Sequence, residues 1–253
     1  MIKVVIIGSG NVAQHLISSF VTNKAIDVVQ VFSRQKEAVS HLIESNKITN
    51  SIADLVVADL YILAVSDDAI ATISAQLDFE NRFVVHTAGS VSMHVLDNKN
   101  RRGVFYPLQT FSKNRPVDFR TIPICIETEY ESDFQILEKT AFVLSDKVKR
   151  INEVQRKALH ISAVFVNNFV NHLYQIGQDI CLANSLSFDI LEPLIIETAK
   201  KVQTLSPTEA QTGPAIRHDM QTIENHLDFL TEPNQKIIYT ILTQSIQQNG
   251  KKL

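Results

Sequence analysis

The sequence predicts an α/β chain: a doubly wound, mostly parallel sheet in its N-terminal part, followed by an all-α C-terminal part. Three observations predict it. From Met1 to about Asp146, short β-branched apolar runs alternate with helical stretches, the pattern of successive βα units. After Arg150 the strand signals vanish and long segments of helical period take over. The chain has 253 residues, 45% hydrophobic and 20% charged, enough to bury two ordinary cores. Domains are therefore expected at 1–150 and 151–253.

Strands are expected at Lys3 to Ile7, Val28 to Phe32, Leu60 to Ala64, Phe83 to His86, Gly103 to Phe105, Ile122 to Ile126 and Ala141 to Leu144. Their continuous apolar character fits strands covered on both faces. Helices are expected at Glu153 to Asn184, Asp189 to Leu205, Ala215 to Leu230 and Pro233 to Gln248. The breaks fall at Ser187-Phe188-Asp189, Thr212-Gly213-Pro214 and Thr231-Glu232-Pro233.

A net charge of −3 supplies no basic field of the kind that gathers around nucleic acid or anionic lipid, which leaves a small molecule as the expected partner. Cys125 and Cys181 are far apart and form no CxxC or Cys/His pattern. His15, His41, His94 and His226 are scattered without ligand spacing, so no metal is expected. No charged, apolar and small-residue series opens the chain as an export signal does. A cytoplasmic protein without a membrane segment is the expectation.

The first apolar strand runs directly into Gly8-Ser9-Gly10-Asn11-Val12-Ala13, and a helical run follows. This GxGxxA at a strand-to-helix turn is the dinucleotide signature of a Rossmann domain. The first glycine permits the turn, the second admits the pyrophosphate, and Ala13 keeps helix and sheet close. The second strand should end in Asp or Glu if a ribose 2′-hydroxyl is to be held. It ends Phe32-Ser33-Arg34 instead, a hydroxyl and a planar guanidinium suited to a 2′-phosphate. NADP(H) is thus expected ahead of NAD(H), the other reading of Arg34 being a solvated helix-start residue. Two further strands end in Val65-Ser66-Asp67-Asp68 and His86-Thr87-Ala88-Gly89-Ser90, in the layer where ligands of open α/β sheets lie. Val65, Ser66, His86, Thr87, Ala88 and Gly89 are candidate cofactor contacts and Ser90 a candidate substrate contact, with Asp67 and Asp68 as helix caps.

No charged side chain occurs between Lys157 and Asp179, although His160, Asn167, Asn168, Asn171, His172, Gln175 and Gln178 do. The segment is too polar to span a membrane. A solvent-facing helix would carry Lys and Glu, so a central helix buried on most sides is expected. At 100° per residue His160, Asn167 and Asn171 share a narrow arc, flanked by Lys157, Asn168 and Gln175. His160 is either a proton donor, with Asn167 or Asn168 orienting a carbonyl or imine, or a member of an interhelical polar network. In Gln211-Thr212-Gly213-Pro214-Ala215-Ile216-Arg217-His218-Asp219, Pro214 fits a first helical turn. Thr212, Gly213, Arg217 and Asp219, with Asn171, are candidates for a carboxylate-bearing substrate; the alternative is a plain helix start. Tyr106 to Phe111 either lines the cleft or packs as an apolar loop.

These segments together resemble the 6-phosphogluconate-dehydrogenase-like superfamily, and its short members similar to pyrroline-5-carboxylate reductase and ketopantoate reductase. Closer still is a bacterial family of oxidoreductases with a Rossmann-like domain and a C-terminal domain of unknown function. Gly8 to Leu16, Leu63 to Ile70, His86 to Leu96, Gly103 to Phe111, Leu159 to Leu173 and Gln211 to Asp219 carry the resemblance. It implies this fold and a nicotinamide cofactor but does not supply the substrate; the expected function is an NADP(H)-dependent reductase of a small carbonyl or imine acid, with ketopantoate-like 2-oxo acids and cyclic imino acids as candidate substrates. It also implies a homodimer with interlocked helical domains. In such relatives the first long helix carries a Lys four residues before an Asn; here the position four before Asn168 is Val164. The competing expectation is a non-catalytic NADPH sensor or scaffold.

Overall fold

The computed structural model describes residues 1–113 and 115–250, with side chains as far as Gln248. Eight strands among the described residues form one sheet: β1 (Ile2–Ile7), β2 (Ile26–Phe32), β3 (Ile48–Thr49), β4 (Leu60–Leu63), β5 (Phe83–His86), β6 (Arg101–Pro107), β7 (Ile124–Thr128) and β8 (Val148–Arg150). Their spatial order is β3-β2-β1-β4-β5-β6-β7-β8. Only β6 and β7 pair antiparallel; every other neighbour is parallel. The order reverses between β1 and β4, where a ligand crevice of a doubly wound sheet belongs.

β1, β4 and β5 are almost wholly buried, as expected of central strands covered on both faces. Helix α1 (Asn11–Val21) buries Ala13, Leu16, Ile17 and Phe20, one stripe at helical spacing, against Val4, Ile6 and Phe105. Each large apolar side chain so buried contributes about 1.5–3 kcal/mol. Short helix α2 (Ile70–Gln76) follows β4.

The expected strand at Ala141 to Leu144 is instead the last turn of helix α3 (Glu131–Leu144). Leu137, Ala141 and Leu144 are buried at i, i+4 and i+7, a helical stripe that four consecutive apolar residues conceal. The strand beyond is β8, whose Val148-Lys149-Arg150 is too polar to announce itself.

Helix α4 (Glu153–Ala163) opens on a capping box: the Asn152 side chain accepts from the Gln155 N–H, and the Gln155 side chain accepts from the Asn152 N–H. Val164–Phe169 continues it as a π-helix, and α5 (Val170–Ala183) follows. The expected burial of this segment does not occur within the chain. Asn167, Asn168, Asn171, His172 and Gln175 are exposed, and so are Ile161, Phe165, Val166 and Phe169. The wider π turn also breaks the uniform 100° phase on which the shared arc of His160, Asn167 and Asn171 rests.

Two compact units divide the chain, Met1–Asn167 and Asn168–Leu253. The second holds α5, α6 (Glu192–Lys201), α7 (Pro207–Ala210), α8 (Met220–Phe229) and α9 (Pro233–Gly250). The helix expected to begin at Ala215 begins at Met220: residues 214–218 form turns, and Asp219 caps α8 by accepting from the Thr222 N–H at 3.1 Å. Pro214 is thus not in the first turn of α8, and Gly213 before it adopts φ +106°. No helix among the described residues is long and apolar enough to cross a membrane.

Candidate active site

A cleft of about 570 Å³ opens at the carboxyl ends of β1, β2, β4 and β5. Gly8, Ser9, Gly10, Asn11, Val12, Ser33, Arg34, Val65, Ser66 and Thr87 line it, joined by Ile73, Gln109 and Phe111. The two glycines do different work. Gly8 takes φ +134°, and a Cβ there would lie 2.8 Å from the Ala64 carbonyl carbon; only glycine passes that point. Gly10 would meet nothing within 4 Å, so its missing side chain leaves open space in the cleft rather than a packing contact. Gly10 is also the N-cap of α1, with no side-chain cap and no acid in the first turn, so that turn's free N–H groups present a positive pole.

At the end of β2, Arg34 is exposed and joined by no hydrogen bond or ion pair among the described residues, and it is the one charged side chain among those lining the cleft. Ser33 is different: its side chain is buried and its hydroxyl donates to the Gln35 carbonyl at 2.6 Å. The expected pair of 2′-phosphate donors is therefore reduced to Arg34. A segment after β6 arches over the glycine turn. The Asn11 side-chain amide donates to the Phe111 carbonyl at 2.9 Å, and His15 Nε2 lies 3.0 Å from the Ser112 carbonyl.

His86, Ala88 and Gly89 are buried and do not line the cleft. His86 instead shapes the turn beside it, Nδ1 accepting from the Ala88 N–H at 3.1 Å. Its pKa is pushed down to about 4, by burial first and by the Arg156 charge second. Between pH 6.5 and 4 the unfolded chain then binds more protons here than the folded one, so stability is full above the unfolded value and falls as pH drops. About 3 kcal/mol is at stake by pH 4. Replacing His86 by Asn should flatten the acid limb of the stability curve by most of that amount in denaturant titrations at about pH 7 and pH 4.5; identical limbs would contradict the assignment.

Asp67 does not cap α2. It accepts from the Ser90 hydroxyl at 2.9 Å and so ties the loops after β4 and β5 together, with Ser90 exposed beside them. Behind these loops stands Arg156, which is fully buried. Its Nη1 donates to the carbonyls of Val91 (2.6 Å), Gly89 (3.1 Å) and Ala88 (3.3 Å), and its Nη2 lies 3.1 Å from Glu127 Oε2. One helical turn further along α4, His160 Nδ1 lies 3.1 Å from Tyr106 Oη. Arg156 is inconspicuous in the sequence because one arginine on a helix ordinarily signifies a solvated face; its i, i+4 spacing from His160 is the available signal. Of the other candidates, Asn167 ends the first unit, while Asn168, Asn171, Thr212, Gly213, Arg217 and Asp219 belong to the second. There Asn168, Asn171, Thr212 and Arg217 are exposed, and Asp219 is held by its capping bonds. Among the described residues no group of three or more His, Cys, Asp or Glu could hold a metal ion.

Sheet order, glycine turn and cleft define a dinucleotide-binding α/β protein of Rossmann type with a helical C-terminal part. Residues 3–89 match a family described as NADP oxidoreductase, coenzyme F420-dependent, and residues 122–246 match a domain of unknown function, DUF2520. A Bacteroides fragilis protein provisionally assigned as an NADP oxidoreductase is 40% identical, covers 98% of both chains and superposes with a TM-score of 0.87. The chain belongs to this bacterial oxidoreductase family with a Rossmann-like domain and a C-terminal DUF2520 domain. At 13% identity, a pyrroline carboxylate reductase of Plasmodium falciparum with NADP bound shares the fold, with a TM-score of 0.58 over 99% of this chain and 97% of that one. So does an imine reductase variant of Myxococcus stipitatus in complex with NAD+, at 12% identity and a TM-score of 0.60 over 98% and 94%. No curated protein matches the chain.

Proposed function

We propose that the protein is an NADP(H)-dependent reductase of a small carbonyl or imine acid, the class that includes ketopantoate-like 2-oxo acids and cyclic imino acids. The observation that carries the cofactor assignment is the lining of the cleft: one guanidinium at the end of β2 and no carboxylate among the residues around it. A ribose 2′-hydroxyl asks for an acceptor there, a 2′-phosphate for a cation. Gly8, Gly10 and the first turn of α1 would hold the pyrophosphate, and Arg34 the 2′-phosphate; Val65, Ser66 and Thr87 would border the remainder. When bound, the reduced nicotinamide supplies hydride. The chain's own part is to hold the acceptor and to furnish a proton, for which His160 is the candidate.

NADPH is expected to bind more tightly than NADH. Arg34→Ala should weaken NADPH by about 10- to 100-fold, the value of one charge-assisted contact, while changing NADH little. Calorimetric titration of both proteins with both dinucleotides measures this, and a wild-type preference for NADH would remove the assignment.

A second reading, a dinucleotide-binding protein without turnover, is favoured by Val164 at the position where the resemblance implies Lys. Binding without turnover across a broad panel of 2-oxo and imino acids would select it. Exposed Ile161, Phe165, Val166 and Phe169 on an uncharged helix favour a second copy of the chain as partner, since apolar patches of this kind mark interaction surfaces. Sedimentation at micromolar concentration decides between one chain and two.

A further inference from the structure

Val104 and Tyr106 alternate with Phe105 on β6, so both face the side of the sheet on which Leu159 of α4 packs. Tyr106 Oη reaches His160 Nδ1 at 3.1 Å, with the rings edge to face and their centroids 6.1 Å apart. This bond rests directly on Gly89. A Cβ at Gly89 would stand 2.5 Å from His160 Nδ1 and 2.7 Å from Tyr106 Cζ, so any other residue there would push the two rings aside. Arg156 holds the Gly89 carbonyl from the preceding turn of the same helix. Helix α4 therefore hooks the loop after β5 with one side chain and meets Tyr106 across that loop with another. Thr87, two residues before Gly89, and Gln109, three after Tyr106, both line the cleft.

Tyr106 is almost fully buried, and burial, chiefly, pushes its phenol up to about 12. It keeps its proton throughout the neutral range. A protonated phenol beside a bare ring nitrogen donates to it, and an imidazole that accepts at Nδ1 carries its own proton on Nε2.

We propose that Tyr106 is a positioning residue that binds His160 Nδ1 in both charge states, holding the neutral ring as the Nε2–H tautomer and leaving Nε2 as the atom that, in the protonated ring, gives a proton to a substrate's oxygen or nitrogen. The proposal rests on the reductase reading above. In the protonated ring Nδ1–H donates to the phenol oxygen, so Tyr106 serves both charge states by turning its hydroxyl. As hydride from the reduced nicotinamide reaches the carbon of a C=O or C=N group, the π pair passes to the heteroatom. That atom takes the Nε2 proton of the protonated ring, which is left neutral with its Nδ1–H on the phenol oxygen, and a proton from solvent returns to Nε2.

The test needs neither substrate nor cofactor. In the full chain labelled with ¹⁵N-histidine, long-range ¹H–¹⁵N spectra above the ring's titration should show His160 Nε2 as pyrrole-type and Nδ1 as a hydrogen-bonded pyridine-type nitrogen. Tyr106→Phe should move Nδ1 downfield toward the position of an unbonded ring nitrogen. Gly89→Ala should do the same with both partners present, which covers the case of a phenylalanine variant that does not fold. His15, bonded elsewhere, is the internal control and should stay in place. A pyrrole-type Nδ1 in the wild type, or an Nδ1 resonance unmoved in a folded variant, overturns the proposal. Titration of the same samples with NADPH keeps the two ideas apart. The expected tautomer without dinucleotide binding would sink the reductase reading alone; binding with the wrong tautomer would sink the role of Tyr106 alone.

Discussion

Arg156→Met is expected to lower the unfolding free energy of the sheet-bearing unit by about 3–5 kcal/mol, the cost of breaking a buried ion pair from one side. Two losses add. Glu127, whose side chain is 12% exposed, is left without its cation, and the carbonyls of Ala88, Gly89 and Val91 lose a shared donor. Arg156→Lys keeps the charge but cannot fork between a carboxylate and three carbonyls, so it should fall between the two. Removing the carboxylate as well, by combining Arg156→Met with Glu127→Leu, should recover part of the loss. The matched control is Arg120→Ala: its pair with Asp146 is solvent-exposed on both sides and should contribute under about 1 kcal/mol. Urea titration followed by probes in residues 1–167 gives the values. An Arg156→Met variant within about 1 kcal/mol of wild type would mean that the loop after β5 is held by something else.

The second large effect separates the two cleft glycines. Gly8→Ala combines a backbone conformation that L residues rarely adopt, worth about 1–3 kcal/mol, with a clash against the Ala64 carbonyl costing about 1–3 kcal/mol more. It should destabilise the protein by about 2–6 kcal/mol and abolish measurable NADPH binding. Gly10→Ala meets no atom and has no unusual backbone angle, so its stability should stay within about 1 kcal/mol of wild type while the added methyl group obstructs the cleft. Thermal melts and dinucleotide titrations on both variants check the contrast. Equal losses of stability would show that Gly10 is a packing glycine after all.

The division between these glycines is legible in the sequence, because a strand, a GxGxxA turn and a helix stand in unbroken order and each part has a single physical purpose. Arg34 is legible for the same reason: its place at the end of β2 follows from counting strands. Ser33 beside it is not, since nothing in its residue type says that its hydroxyl turns back to the Gln35 carbonyl. Ala141 to Leu144 looks like a strand because four apolar residues hold no period, and only the stripe with Leu137 reveals the helix. Pro214 looks like a helix start because nothing in the letters says that residues 214–218 form turns and that α8 begins only at Met220. The uncharged segment from Lys157 to Asp179 reads as a buried helix, yet its side chains are largely exposed in the chain. Tyr106 and Arg156 are hidden by distance, completing their contacts 54 and 67 residues away respectively.

One turn of the long helix changes how this chain should be aligned with others. Across Val164–Phe169 the backbone bonds run to the fifth residue instead of the fourth. A helix that takes in a residue this way shifts the bookkeeping of every homologous position beyond it. Counting back four from Asn168 reaches Val164; counting by the wider turn reaches Ala163. Neither is lysine, so the departure from the resemblance survives either registration. His160, lodged against Tyr106 before the irregular turn begins, sits where the numbering is still unambiguous.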